Sequence, residues 1–194
     1  ARIATCGVAL LSGMSAAPAL PPDTTVTGRK LLIKDFTRPG QADRKVVFVS
    51  RDPIVVPAAP GSAGDPTLNG GSLEVHNTAG SGESMTLALP AGNWTLKGDD
   101  FYLYRELVDN PPTQEYKIKV IVRSGQVRGL VRDGRGSLIS YTLDEPTQGS
   151  VGVRVATGAD RHCLDFGGIV VADESLDLGG GVYRGRFAAK TAPA

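Results

Sequence analysis

The sequence predicts an all-β protein, an antiparallel β-sandwich of about ten short strands that follows an N-terminal signal peptide. Apolar and polar residues alternate over short stretches, most clearly from 115 to 123, and such alternation is typical of half-buried strands. The 25 Gly and 13 Pro residues fall largely between these stretches, as turn residues do. After the N-terminal apolar stretch, no segment has the 3.6-residue periodicity of an amphipathic helix.

The N-terminal segment has the composition of a secretory signal peptide of a bacterial type. Arg2 precedes a run of small and apolar residues from 3 to 16, and Ala17-Pro18-Ala19 supplies a small-residue exit. We expect a cleaved signal peptide at 1–19, a linker at 20–27, the β-sandwich domain at 28–188 and a C-terminal tail at 189–194. Without the leader no apolar stretch could span a membrane. The expected location is the cell exterior or surface, the periplasm included.

The first half of the chain predicts six strands, and turn residues separate the members of each pair. The strands of the first pair flank Thr37-Arg38-Pro39-Gly40, those of the second form a hairpin across residues 79–82, and those of the third flank residues 97–100. The predicted ranges are 28–36, 44–51, 72–78, 83–89, 93–96 and 101–104. Residues 57–66 are rich in Pro, Gly and Ala and are interpreted as a surface loop, with a binding loop as the alternative.

The second half begins after the break at residues 109–112 and predicts seven strands. Residues 115–123 alternate most clearly, with Tyr116, Ile118, Val120 and Val122 on one face. The other predicted ranges are 126–132, 138–143, 151–155, 161–166, 168–172 and 182–187.

The overall charge is close to neutral. Lys and Arg number 21, Asp and Glu number 20, and the formal net charge is +1. Removal of Arg2 with the leader balances the two signs. Positive and negative residues also alternate along the chain, as on a solvated surface. We therefore expect neither nucleic acid nor an anionic membrane as a partner.

The two cysteines are Cys6 and Cys163. Cys6 leaves with the leader, so Cys163 is expected to remain as a lone cysteine. It is then either a buried thiol that behaves as a small hydrophobe or the site of an intermolecular bridge. If the leader is retained, a bridge between the two cysteines becomes possible.

Metal-binding signals are weak. His76 and His162 are isolated in sequence, and His162 and Cys163 should point to opposite faces of a strand, so structural roles are favoured. No cofactor is expected, apart from a calcium alternative. The densest acidic group comprises Asp173, Glu174 and Asp177, which makes these residues the calcium candidates.

Two further patterns suggest sites. Aromatic residues concentrate near the third pair of strands, and Trp94, Tyr102 and Tyr104 are the candidate ligand-binding residues, because exposed aromatic faces stack on sugar rings. A core role is the alternative. Carboxylates of a glycoside hydrolase could come from Asp144, Glu145, Asp173 and Glu174, provided that two of them face one cleft. No residue is assigned a catalytic role.

Several segments carry a recognisable pattern, namely Gly61-Ser-Ala-Gly-Asp-Pro66, Gly80-Ser-Gly-Glu83 with Leu87-Ala-Leu-Pro90, Thr142-Leu-Asp-Glu-Pro-Thr-Gln-Gly149, Arg161-His-Cys163 with Phe166-Gly-Gly168, and Phe187-Ala-Ala-Lys-Thr-Ala-Pro193. Together they resemble an uncharacterised, often tandemly repeated β domain of secreted bacterial proteins. The resemblance spans about residues 28–193 and implies an exported β domain without a known activity. Similar domains carry a second cysteine near the strand at 115–122, where this chain has none.

These observations predict an exported, non-enzymatic β domain with a binding or structural role. The expected partner is an extracellular polysaccharide or a protein. The alternative is a secreted carbohydrate-active hydrolase that uses a carboxylate pair.

Overall fold

A computed structural model of the chain describes residues 23–79, 82–110, 113–136, 138–144, 147–166 and 169–190. The predicted signal peptide and Cys6 lie outside the described residues.

The described residues form twelve strands, one short α-helix and one 3₁₀ turn, which confirms the all-β prediction. The strands are β1 (Thr24–Arg38), β2 (Gln41–Arg51), β3 (Gly71–Ala79), β4 (Ser84–Leu89), β5 (Trp94–Leu96), β6 (Phe101–Asn110), β7 (Gln114–Arg123), β8 (Gln126–Asp133), β9 (Ser150–Thr157), β10 (Asp160–Asp165), β11 (Ile169–Asp177) and β12 (Tyr183–Lys190). Helix α1 is Pro66–Asn69, and the 3₁₀ turn is Ala91–Asn93. Strand β1 begins inside the predicted linker, and β12 runs two residues into the predicted tail.

The strands form one continuous, nearly closed and barrel-like sheet, because β1 belongs to two parts of it. In the larger part the order is β11-β12-β1-β2-β8-β7-β6-β5, and in the smaller part it is β4-β3-β9-β10-β1. The start of β1 pairs in parallel with β10, and the rest of β1 pairs antiparallel with β2 and β12. An irregularity between Gly28 and Lys30 marks the passage from one part to the other. We call these parts the larger and the smaller sheet.

Alternation sets the inward face of each strand. On β7 the predicted inward residues Ile118, Val120 and Val122 are buried and Tyr116 is half-buried. Their cross-strand partners on β8, such as Val131 opposite Ile118, are also buried. One apolar core includes side chains from both sheets. Gly129 on β8 leaves room for the Phe48 ring of β2, since a Cβ at Gly129 would collide with that ring.

The segment at 138–143 differs from the prediction. Its apolar residues Ile139, Tyr141 and Leu143 alternate and are buried, as a strand would require, but the segment pairs with no described strand. Its backbone N–H groups donate instead to buried or half-buried carboxylates. Asp133 accepts from the N–H of Ile139 at 2.8 Å, and Thr142 donates to Glu83 at 2.8 Å.

The loop at 57–66 is organised by a buried carboxylate. Asp65 is 3% exposed and accepts from the backbone N–H of Gly61 at 2.7 Å and of Thr67 at 2.8 Å. The second bond caps helix α1. The Ala58 carbonyl of the same loop accepts from the Tyr102 hydroxyl at 3.1 Å, so the loop is tied to the core.

Candidate polyanion-binding face

The outward face of the larger sheet carries most of the chain's 21 Lys and Arg residues. These are Lys30, Lys34, Arg38, Lys45, Arg51, Arg105, Lys117, Lys119, Arg123, Arg128, Arg132, Arg184, Arg186 and Lys190. All are exposed or half-buried. Acidic residues at outward positions of this sheet are fewer, namely Asp43, Asp109, Glu115 and Glu174. We call this surface the basic face.

The period of the strands produces this segregation. On β1 the apolar Leu31 and Ile33 point inward, and Lys30 and Lys34 occupy outward positions. On β7 the same rule directs Ile118 into the core, and its neighbours Lys117 and Lys119 point outward. A chain with almost no net charge therefore acquires one strongly basic side when it folds.

Strand register places five cations directly opposite one another across five strands. Arg186 lies opposite Lys34, Lys34 opposite Lys45, Lys45 opposite Arg132, and Arg132 opposite Lys117. We call this row the cation ladder. With neighbouring strands about 4.8 Å apart, the ladder extends about 19 Å perpendicular to the strands.

The cation ladder is only partly compensated by the protein itself, since Arg186 at its end lies directly opposite Glu174 on β11. Arg132 faces Asp43 at 3.7 Å, and both side chains are largely exposed, so this pair contributes little. The other four cations form no ion pair with the described part of the chain. Like charges directly opposite one another on neighbouring strands are destabilising. The row is therefore a feature that packing and stability do not explain.

A row of apolar side chains runs beside the cation ladder. Ala188, Leu32, Val47 and Leu130 lie opposite one another on β12, β1, β2 and β8. The small Ala188 side chain stands between the long side chains of Arg186 and Lys190 on its own strand. Ala188 is buried and the other three side chains are half-buried, so the face combines positive charge with partly accessible hydrocarbon surface.

A groove opens at the β12-β1-β2 end of this row, with a volume of about 540 Å³. Its apolar lining comprises Leu31, Leu32, Val49, Val171, Ala188 and Ala189. Its charged lining comprises Arg29, Lys30, Arg51, Arg186 and Lys190, with no acidic side chain among the lining residues. None of these five cations forms an ion pair with a described residue.

The smaller sheet differs from the basic face, because its two arginines are paired with carboxylates. Arg154 contacts Asp23 at 2.9 Å and also binds Glu74, and Arg161 contacts Asp23 at 3.0 Å. His76 lies 3.6 Å from Glu74, and burial lowers the pKa of this imidazole. This network balances two arginines against two carboxylates and leaves no excess charge for a ligand.

The three candidate sugar-binding aromatic residues are core residues. Trp94, Tyr102 and Tyr104 are 5%, 1% and 0% exposed, so the expected exposed platform is absent from these side chains. The alternative core role describes them correctly. The indole of Trp94 donates to the Leu89 carbonyl at 3.1 Å and lies edge-on to the Tyr104 ring at 5.3 Å.

Two tyrosines meet at one carboxylate in this region. The Tyr104 hydroxyl donates to Glu106, and the Tyr116 hydroxyl donates to the other oxygen of Glu106 at 2.9 Å. Burial raises the pKa of Tyr104 and of Tyr116, and the hydrogen bonds to Glu106 act in the same direction. Both hydroxyls therefore stay protonated at neutral pH, and the cluster holds β6 and β7 together.

The calcium candidates do not converge. Asp173 and Glu174 are neighbours on β11 and therefore point to opposite faces. The Asp173 carboxylate accepts from the N–H groups of Gln148 and Gly149 at 2.8 and 2.9 Å, and Asp177 accepts from the N–H of Gly179 at 2.8 Å. Within the described ranges, no cluster of three His, Cys, Asp or Glu side chains could hold a metal ion.

The carboxylates considered for hydrolysis are likewise not assembled into a pair. Asp173 and Glu174 diverge, as described above. Asp144 accepts from the Thr142 hydroxyl at 2.8 Å. Glu145 lies outside the described residues.

His162 and Cys163 point to opposite faces of β10, as predicted. His162 lies opposite the buried Val155, and Cys163 lies opposite Arg154. Burial lowers the pKa of His162, whose ring nitrogens make no hydrogen bond to described residues. Cys163 is buried and disulfide-bonded, so the expectation of a free buried thiol is wrong and the alternative of a bridge applies. The other cysteine of the sequence, Cys6, lies outside the described residues.

Sequence reasoning missed the basic face because it used the charge of the whole chain. A local signal was present, since Lys and Arg recur at alternate positions, as in Lys117 and Lys119 or Arg184 and Arg186. The strand order that aligns these residues cannot be predicted from a local sequence pattern.

No helix in the described ranges has both the length and the apolar character needed to cross a membrane. Comparisons with protein-family models, curated proteins and solved structures find no match.

Proposed function

We propose that this protein is an exported, non-enzymatic binding domain for an anionic extracellular polysaccharide, which lies across the cation ladder. The observation that carries the proposal is the unbroken row of Arg186, Lys34, Lys45, Arg132 and Lys117 on five adjacent strands. A carboxylate- or sulfate-bearing polymer would place negative charge along the ladder and relieve the repulsion within it.

The balance of stability and binding supports this assignment. A row of opposed cations reduces stability, and functional sites are where proteins are expected to break such local rules. The cations stand on paired strands and are held in fixed order, so a chain with regularly repeating negative charge could contact several of them at once. Repeated weak contacts of this kind add to a high total affinity.

The composition of the face favours a polysaccharide over single-stranded nucleic acid. Nucleic acid binding of that kind uses aromatic platforms on which bases stack. The aromatic residues at outward positions of the larger sheet are Phe36 and Phe101, and both are half-buried. The Arg184 guanidinium already covers the Phe36 ring at 5.8 Å from its centroid. This composition argues against single-stranded nucleic acid as the polymer.

The test compares binding of polygalacturonate, dextran sulfate and neutral dextran to the full chain by isothermal titration calorimetry at low ionic strength. We expect both anionic polymers to bind and neutral dextran not to bind. The double variant Lys34→Gln/Lys45→Gln should weaken binding of the anionic polymers about tenfold or more, because two adjacent contacts are lost. Added salt should weaken binding of the unmodified protein more steeply than that of the variant.

The control is Lys97→Gln/Arg161→Gln, which removes the same charge from the β5–β6 turn and from the smaller sheet. It should change the affinity by less than about twofold. Equal weakening by the two double variants would show that only net charge matters and would overturn the proposal. Tighter binding to a single-stranded oligonucleotide than to either polymer would also overturn it.

A further inference from the structure

The groove beside the cation ladder has a chemistry that a polysaccharide does not need. Its floor is hydrocarbon from Leu32, Val49 and Ala188, and the exposed side chain of Val171 on β11 forms a wall. A polar sugar chain gains little from such a floor. A ligand with an apolar part would remove this surface from water, which is favourable in proportion to the area buried.

The shape of the groove follows from the side chains around it. Ala188 and Leu32 lie opposite each other, and each stands between longer basic side chains on its own strand. The long side chains of Lys30, Arg186 and Lys190 therefore rise around a low apolar centre. The irregularities in β1 at 28–30 and in β11 at 170–172 contribute Arg29 and Val171 to the rim. At about 540 Å³, the groove falls within the usual range for small-molecule sites.

The charge of the rim limits what the groove could hold. Arg29, Lys30, Arg51, Arg186 and Lys190 surround the apolar floor, and no acidic residue lines it. A cationic or neutral apolar ligand would leave these charges uncompensated. An anion at one end of an apolar chain would satisfy both features, because its charge reaches the rim and its hydrocarbon covers the floor.

We propose that this groove binds a single-chain anionic amphiphile, with the hydrocarbon chain on Leu32, Val49 and Ala188 and the anionic headgroup between the rim cations. The ligand class is defined by a carboxylate, sulfate or phosphate headgroup on an alkyl chain. The inference goes beyond the polysaccharide proposal and does not rest on it, since it uses the groove floor. Arg186 belongs to both the rim and the ladder, and the variants that separate the two proposals leave it unchanged.

The experiment titrates the full chain with dodecyl phosphate below its critical micelle concentration, and follows binding by isothermal titration calorimetry. We expect one molecule to bind per chain. Inorganic phosphate lacks the chain and dodecyl maltoside lacks the charge, so each should bind at least about tenfold more weakly. The variant Ala188→Leu fills the groove and should weaken binding of dodecyl phosphate about tenfold. Val47→Leu, in the same apolar row but outside the groove, is the matched control and should leave the affinity within about twofold.

A second variant keeps the test decisive if Ala188→Leu fails to fold. Val171→Glu changes a residue that is 54% exposed and places a negative charge on the wall, so it too should weaken binding of dodecyl phosphate.

The ladder variant Lys34→Gln/Lys45→Gln should weaken polymer binding and leave amphiphile binding unchanged. This result separates failure of this inference from failure of the proposed function. Unchanged affinity in both groove variants would overturn it. Equal affinity for inorganic phosphate, or binding only to vesicles of an anionic lipid, would do the same.

Discussion

At the scale of single residues, Asp133 replaces part of the partner strand that the segment at 138–143 lacks. Its carboxylate is fully buried and accepts hydrogen bonds from four backbone N–H groups, those of Arg135, Gly136, Leu138 and Ile139, at 2.7 to 3.1 Å. The N–H groups of Leu138 and Ile139 belong to the segment, and a neighbouring strand would otherwise satisfy them. The sequence correctly predicts a turn after Asp133. The number of backbone N–H groups that donate to this carboxylate depends on the folded backbone, and no local sequence pattern predicts it.

Replacement of Asp133 by Asn should therefore destabilise the fold strongly. The Asn side chain has the same shape but only one accepting oxygen, so two of the four N–H groups face a donor instead of an acceptor. We expect the free energy of unfolding to fall by about 2 to 4 kcal/mol, measured by urea denaturation. Asp99→Asn, at an exposed turn position, should change it by less than about 0.5 kcal/mol. A similarly small effect at Asp133 would mean that the carboxylate does not organise the segment.

At the scale of strands, the sequence predicts alternation well and pairing poorly. The observed β7 and β8 match their predicted ranges to within a residue, because each contains a clear period of two. The pairing of β2 with β8 joins residues about 80 positions apart in the chain, and no local pattern encodes it. The cation ladder exists only through that pairing, so it could not be predicted. The segment at 138–143 shows the converse error, since its buried alternation is genuine but its hydrogen bonds go to side chains.

The ladder makes a strand-level prediction in which stability and binding change in opposite directions. Lys45 lies opposite Lys34 on one side and Arg132 on the other. Lys45→Glu turns two repulsive pairs into two attractive ones, so the free energy of unfolding should rise by about 0.5 to 2 kcal/mol in urea denaturation. The same change should weaken binding of polygalacturonate. Lys97→Glu, in the β5–β6 turn, should do neither. A less stable Lys45→Glu protein would show that the opposed cations do not repel one another.

At the scale of the whole molecule, the net charge is close to zero but the charges are unevenly distributed over the surface. The chain has a formal net charge of +1 and an isoelectric point of about 8.0. Its composition alone would predict little attraction to a polyanion. The fold concentrates cations on the outward side of the larger sheet and pairs those of the smaller sheet with Asp23 and Glu74. An approaching polymer responds to the nearest face, because salt limits electrostatic interactions to about 10 Å at 0.1 M.

This separation of charge predicts that the protein binds a sulfonate cation exchanger at pH 8, close to its isoelectric point, where a uniformly charged protein would flow through. We expect retention in a low-salt buffer and elution by added NaCl. The ladder variant Lys34→Gln/Lys45→Gln should elute at a distinctly lower salt concentration than the control Lys97→Gln/Arg161→Gln. Both double variants have the same net charge, so only the position of the charge can separate them. Elution of the two double variants at the same salt concentration would show that retention depends on net charge alone. The basic face would then not be the surface that binds the resin.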